Sequence, residues 1–346
     1  MNYDIAIIGA GASGLMLAAQ LNNKNKKVIL IESNAKIGEK IKVSGGAKCN
    51  ITNEYVSCEN YLGKEEFVQT ILDGFTNKEL LSFLNKNGVK PKINEKIVKG
   101  TYFCNASSEV ISMFSKLIFN VKLSLNTNVT DVIYDNKYII HTSKGIIEAK
   151  KLVVASGGLS FATLGASSIA FDIAAKFGHS VTALNPALVG FTVQKEQFWF
   201  KKLSGLSFDV QASLENKTFE GGLLFAHKGC SGPVILNTSL YWKKGKMSID
   251  FLPNKKLATL SKSNKLISSA LPLPKRFMTE FLNSIDLKDQ SISKLNAEDA
   301  QKLKCIKNYE YSPAGNFGYT KAEVTRGGVN VEQIDKNTMQ SNIQKD

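Results

Sequence analysis

The stretch IAIIGAGASG at residues 5–14 constrains the fold more than any other part of the chain. A short apolar run, Asp4 to Ile8, leads directly into Gly9, Gly11 and Gly14. An isoleucine-rich run of this length suits a strand buried on both faces of a parallel sheet. Glycine has no Cβ, so the turn that follows can be tight and a ligand can approach the main chain. From Ser13 to Leu21, the residues Leu15, Leu17, Ala18 and Leu21 fall at helical spacing. The glycines thus stand between a strand and a helix N-terminus, where free N–H groups and the helix dipole favour a pyrophosphate. A second apolar run, Val28 to Ile31, ends in Glu32. That carboxylate lies about 20 residues past the turn, where a ribose hydroxyl is held in dinucleotide-binding units. The glycines alone would be weak evidence, and a tight structural turn with a surface glutamate is the bland alternative. Strand, glycines, helix, second strand and terminal acid together are specific.

The rest of the chain divides by pattern. Residues 34–53, NAKIGEKIKVSGGAKCNITN, are glycine-rich, basic and too irregular for a helix or strand. KEEFVQTILDGF and NKELLSFLNKNG carry apolar residues at helical spacing, with Gly88 as a C-cap, and 107–119 reads as another helix. Short strands follow over 121–155: NVTDVIYD, KYIIHTS, GIIEA and KLVVASGG. The last again runs into paired glycines, Gly157 and Gly158, and SIAFDIAAKFGH reads as a helix closed by Gly178. Residues 188–251 turn β-like, whereas 254–305 become lysine- and serine-rich and helical, and 306–324 resume strand-like spacing.

The chain of 346 residues carries a net charge of +14. A basic balance raises nucleic acid as a partner. Almost all of the positive charge is lysine, however, with arginine only at Arg276 and Arg326. Bidentate readers of phosphates and base edges favour arginine. The composition therefore points to a solvated lysine-rich surface and away from nucleic acid. Five cysteines without a CxxC pair fit reduced thiols in a cytoplasm and no zinc site. No apolar stretch approaches a membrane span, and the first strand begins too early to leave room for a signal peptide.

At GEKIKVSGGAKCNITN the chain resembles the bacterial NAD(P)/FAD-dependent oxidoreductases, also described as aminoacetone-oxidase-like FAD-binding enzymes. That family includes a bile-acid dienone reductase. Its hallmark, Gly-Arg-Lys, Ser-Gly-Gly-Gly-Arg-Cys-Asn and Thr-Asn, is matched by Gly38, Lys40, Ser44, Gly45, Gly46, Cys49, Asn50, Thr52 and Asn53. Ala47 replaces the third glycine and Lys48 the arginine. Further matches are ASGGLS at 155–160, GHSVTALNPALV at 178–189, HKGCSGP at 227–233 and AEVTRGGVN at 322–330. In the family an apolar strand, a Gly-Glu-Val-Leu-Asp stretch and a Gly-Gly-Tyr-Asn segment follow and help to complete the flavin site. The sequence ends at Asp346, before them, so the resemblance implies weaker or incomplete FAD binding by this chain.

The resemblance implies a doubly wound Rossmann-like α/β FAD-binding domain, 1–187 with 325–346. A β-rich, barrel-like domain, 188–253 with 306–324, interrupts it and itself contains a helical insert, 254–305. Gly9, Gly11, Ala12, Ser13 and Gly14 would cradle the FAD pyrophosphate, and Glu32 with Ser33 would meet the adenosine ribose. Lys40, Ser44, Gly45, Gly46, Cys49 and Asn50 would lie near the ribityl chain or isoalloxazine, where small residues let backbone approach a flat ring. Val129 would bond adenine through its main chain, against the plain alternative of a strand valine. Ala155, Ser156 and Gly157 would end a strand beside the pyrophosphate. Cys49 is better suited to packing than to redox chemistry. Among three histidines, His227 borders a Gly-Ser-Gly-Pro turn and is the candidate proton donor, with a structural histidine as the equal alternative. No residues show metal-ligand spacing. The implied activity is hydride transfer between flavin N5 and a small organic substrate, with NAD(P)H as electron donor. The rival is a redox-inactive protein that binds flavin, nucleotide or RNA through its basic surface. Oligomeric state is not legible.

Overall fold

The computed structural model describes residues 2–94, 99–255, 257 and 264–344. It divides into two units, Met1–Leu184 with Gly327–Asp346, and Asn185–Arg326.

The first unit contains, in chain order, β1 (Asn2–Ile8), α1 (Ala12–Leu21), β2 (Val28–Ile31), α2 (Glu39–Val43), β3 (Asn50–Asn53), α3 (Glu65–Gly74), α4 (Asn77–Lys86), β4 (Lys92–Ile93), β5 (Thr101–Phe103), α5 (Ser107–Leu117), β6 (Lys122–Ser124), β7 (Val129–Tyr134), β8 (Tyr138–Thr142), β9 (Gly145–Val154) and α6 (Ile169–Lys176). Its main sheet has the order β6-β2-β1-β9-β8-β7. β6, β2, β1 and β9 run parallel, and β8 and β7 return antiparallel. Every residue of β2 is buried, as a strand covered on both faces requires. One face packs Ile7, Leu15, Leu30 and Phe114, and the other packs Ile8, Ile29, Ile31 and Ile140.

Two expectations change here. The segments GIIEA and KLVV belong to one continuous strand, β9, because its first half pairs with β8 and its second half with β1. The lysines at 150 and 151 interrupt the apolar run without ending the strand. The stretch 34–53, read as irregular, holds α2, a turn over Ser44–Ala47 whose last three residues are left-handed, and β3.

The second unit contains β10 (Asn185–Ala187), β11 (Phe191–Val193), α7 (Trp199–Lys202), β12 (Ser207–Leu214), β13 (Lys217–Ala226), β14 (Gly229–Ser231), α8 (Pro233–Ser239), β15 (Met247–Asp250), α9 (Ile267–Ala270), α10 (Lys275–Ser284), α11 (Ala297–Leu303), β16 (Tyr309–Tyr311), β17 (Pro313–Asn316) and β18 (Val324–Arg326). An antiparallel sheet runs β16-β15-β12-β13-β14-β11-β17, and β10 pairs with β18. The helical segment 254–305 does not build a core of its own. Ile267, Phe277, Phe281 and Leu303 belong to the same cluster as Phe200, Phe225 and Phe251 of the sheet region. Residues 256 and 258–263 of that segment lie outside the described residues. Among the described residues no helix is long and apolar enough to cross a membrane.

Candidate functional site

Three parallel strands end side by side in the first unit. Ile8 pairs with Ile31 on one side and Val154 on the other. The Gly9 N–H donates to Ile31 O at 2.8 Å, and the Ala155 N–H donates to Ile8 O at 2.8 Å. Gly9, Glu32 and Ala155 therefore leave the sheet together, at the carboxyl ends where α/β sheets bind ligands.

The glycines divide into two kinds. A Cβ on Gly9 would lie 2.5 Å from Ala155 O, and one on Gly14 would lie 1.9 Å from Gly9 O. These two let the helix and strands close on each other. A Cβ on Gly11, Gly46 or Gly157 would meet nothing within 4 Å, so these three border open space. Gly11 is also the N-cap of α1, which no side chain among the described residues caps, and Ala12 and Ser13 beside it are exposed. An uncapped first turn leaves N–H donors for an anion.

Glu32 is 9% exposed. Its Oε2 accepts the Ala10 N–H at 2.8 Å. Its Oε1 accepts Ser33 Oγ at 3.2 Å, Asn34 N at 2.9 Å and Asn34 Nδ2 at 2.8 Å. Oε2 thus retains acceptor capacity for a ribose hydroxyl, while Oε1 is filled by the protein. Asn34, which sequence reasoning missed, also donates from Nδ2 to Leu164 O at 2.9 Å and ties the acid to the 161–165 turn.

The Gly38 N–H donates to Ala10 O at 2.9 Å and anchors the basic loop beside the glycine turn. Lys40 is exposed, with Nζ 5.5 Å from the Phe161 ring centroid. Phe161 has φ 63, a costly conformation for a bulky residue, and was also missed. In the following turn the Asn50 N–H donates to Ser44 Oγ at 3.3 Å and the Cys49 N–H donates to Ser44 O at 2.9 Å. Gly45, Gly46, Ala47 and Cys49 all have positive φ, 57, 64, 69 and 54. Ala47 occupies the family's third glycine position and pays for its Cβ there. Ala47→Gly is expected to raise stability by about 0.5–1 kcal/mol, the αL penalty less the entropy of glycine. The chemical denaturation midpoint checks this, and an unchanged or lower midpoint would show no strain at Ala47.

Cys49 is 5% exposed, and burial pushes its thiol up to about 11. It is protonated at neutral pH, which suits packing and not nucleophilic chemistry. Ser156 Oγ is buried and has no hydrogen-bond partner among the described residues. Val129 opens β7, at the sheet's far edge, but the Thr127 N–H donates to Glu32 O at 2.9 Å and brings the preceding chain back to the acid. His227 belongs to the second unit, where it is exposed on the turn between β13 and β14.

A buried hydroxyl without a partner, three open glycine faces and an uncapped helix fit a phosphate-bearing dinucleotide at this place. Doubly wound sheet and strand-end cradle define a protein of the FAD-binding Rossmann class. The chain belongs to the HI0933-like protein Rossmann domain family, which it matches over residues 3–346. It is 34% identical to a protein of Escherichia coli named ribosomal RNA dihydrouridine synthase, over 98% of this chain and 88% of that one. A protein of the same name from Haemophilus influenzae is also 34% identical, over 97% and 88%. The 3-dehydro-bile acid delta(4,6)-reductase of Clostridium scindens is 25% identical, over 97% and 89%.

Proposed function

We propose that this protein is an FAD-dependent reductase of a carbon–carbon double bond conjugated to a carbonyl, and that its substrate is a uracil ring in ribosomal RNA. The observation that carries the proposal is the 34% identity, along nearly the whole chain, to two relatives named ribosomal RNA dihydrouridine synthase. Uridine becomes dihydrouridine when its C5–C6 bond is saturated beside the C4 carbonyl. The name of the bile-acid relative describes the same chemistry on a steroid: ring double bonds reduced in conjugation with a 3-keto group. One reaction class thus covers all three names.

When bound, reduced FAD would supply hydride chemistry here, with NAD(P)H as the proposed terminal reductant. Two electrons and one hydrogen reach the carbon β to the carbonyl, the π bond breaks, and a separate proton closes the α carbon. NAD(P)H is oxidised to NAD(P)⁺. The chain's own residues hold and orient. The first turn of α1 and Ser156 Oγ would bind the pyrophosphate, Glu32 Oε2 the ribose, and the main chain near Val129 the adenine. The backbone of Ser44–Asn50 would approach the flat ring, and Lys40 would add positive charge beside it. Such a substrate would put the enzyme with ribosomes in the cytoplasm.

Scarce arginine points away from nucleic acid, and the proposed RNA substrate runs against that expectation. Arginine shortage bears on bidentate base reading, whereas lysine neutralises phosphates equally well. His227 remains the proposed proton donor. His227→Ala is expected to slow product formation by about 10²–10⁴-fold while leaving flavin content and flavin reduction by NAD(P)H intact. An unaltered rate would assign the proton to water. Stopped-flow measurement of the two half-reactions separates these outcomes.

A further inference from the structure

We infer, on the strength of the RNA substrate proposed above, that the second unit carries a docking surface for single-stranded RNA, built from Phe219, Tyr241, Lys217, Lys243 and Lys244. Phe219 and Tyr241 stack, with ring centroids 5.4 Å apart and planes at 30°. Lys217 Nζ lies 4.6 Å from the Tyr241 centroid. Lys217 and Phe219 stand two residues apart on β13, so they share one face of the strand. Tyr241 comes to them from the loop after α8.

That loop is fixed from below. Trp242 meets the buried Phe191 ring edge-on, centroids 4.9 Å apart, and its indole N–H donates to Gly245 O at 3.0 Å. The anchor presents Lys243 and Lys244 outward. Both are exposed, and neither has an ion-pair or hydrogen-bond partner among the described residues. The neighbouring charges are accounted for: Lys246 pairs with Glu310, and Glu220 accepts Gln211 Nε2 at 2.7 Å. Glu215, at the β12–β13 turn, and Asp209, on β12, are further exposed acids of this hairpin. Phe219 and Tyr241 are half-buried and pack against the core of the second unit, so the unneutralised positive charge lies around the exposed rim of an aromatic pair.

The chemistry selects the occupant. A uracil must leave its stack to reach a flavin, so the strand around it is splayed and needs support. Aromatic rings stack on exposed bases without regard to sequence, and lysines follow the phosphates.

The test uses the full chain loaded with flavin and a short, fluorescein-labelled, uridine-containing single-stranded RNA, read by anisotropy. Lys243→Glu/Lys244→Glu is expected to weaken binding by about tenfold or more and to flatten the slope of log K against log salt by about 1.4. The equivalent reversal on the first unit, Lys116→Glu/Lys122→Glu, is expected to change affinity by less than about threefold. Tyr241→Ala is expected to cost about tenfold at salt concentrations that screen the charges. Flavin content and melting temperature report that each variant is folded. Equal losses from both charge reversals, or RNA binding unchanged by Lys243→Glu/Lys244→Glu, would overturn the surface assignment. So would a loss confined to phosphatidylserine vesicles with RNA binding intact. Failure of the unmutated protein to bind RNA at all would remove the proposed substrate itself, and this surface with it.

Discussion

Gly11→Val is expected to purify as a folded protein without flavin, whereas Gly14→Ala is expected to lose both the flavin and much of its stability. The two glycines are three residues apart and look alike in sequence. At Gly11, φ −81 and ψ −168 are open to any L-residue, and a Cβ meets nothing within 4 Å. Valine there leaves the protein's own packing intact and fills the space given to the pyrophosphate. Displacing a charge hydrogen-bonded to the first turn should cost ~3 kcal/mol or more, over a hundredfold in affinity. At Gly14 a Cβ would lie 1.9 Å from Gly9 O, a backbone atom that cannot swing aside. Helix and strand must separate, and the penalty should sit at or above the upper end of the 1–3 kcal/mol range for overpacking, ~3 kcal/mol. Flavin absorbance per protein and thermal unfolding measure both effects. A Gly11→Val protein with full flavin content would show that the turn is purely structural.

Glu32→Ala is expected to weaken FAD binding by about 1.5–3 kcal/mol, the range for hydrogen bonds to a charged group. It is also expected to destabilise the protein without its cofactor. The carboxylate accepts the Ala10 N–H, and Ala10 is only 1% exposed. Truncation leaves that donor buried and unpaired, at a cost of about 1–3 kcal/mol. Glu32→Gln keeps an acceptor for one side of the pair and should fall between. Titration with FAD and unfolding of the flavin-free protein test the two parts separately. Unchanged FAD affinity in Glu32→Ala would take Glu32 out of the site, and unchanged stability would deny its hold on Ala10.

Legible in the sequence were the features that local physics imposes. The apolar run of β1, the glycine spacing, the periodicity of α1 and the acid after β2 each act over a few residues, and the structure brings them together at the strand ends. What remained hidden depends on distant partners. Asn34 matters because it meets Leu164 O, 130 residues away. Phe161 adopts φ 63 in a turn that Asn34 holds through Leu164, and no local pattern announces that. The return of Thr127, two residues before β7, to Glu32 O is likewise a contact between distant residues. Continuous β9 was hidden for the same reason: its charged middle is tolerated because neighbouring strands pair on either side.

The most direct measurement of the central proposal is nucleoside mass spectrometry of ribosomal RNA treated with the flavin-loaded protein. Unmodified transcripts of the ribosomal RNAs are incubated with protein and NADPH or NADH, digested and analysed for uridine that has gained two hydrogens. The account predicts dihydrouridine at a discrete position, formed only with the nicotinamide reductant and absent with Gly11→Val. Flavin-loaded protein that oxidises NAD(P)H yet leaves every uridine unreduced, in naked RNA and in ribosomal subunits alike, would contradict it.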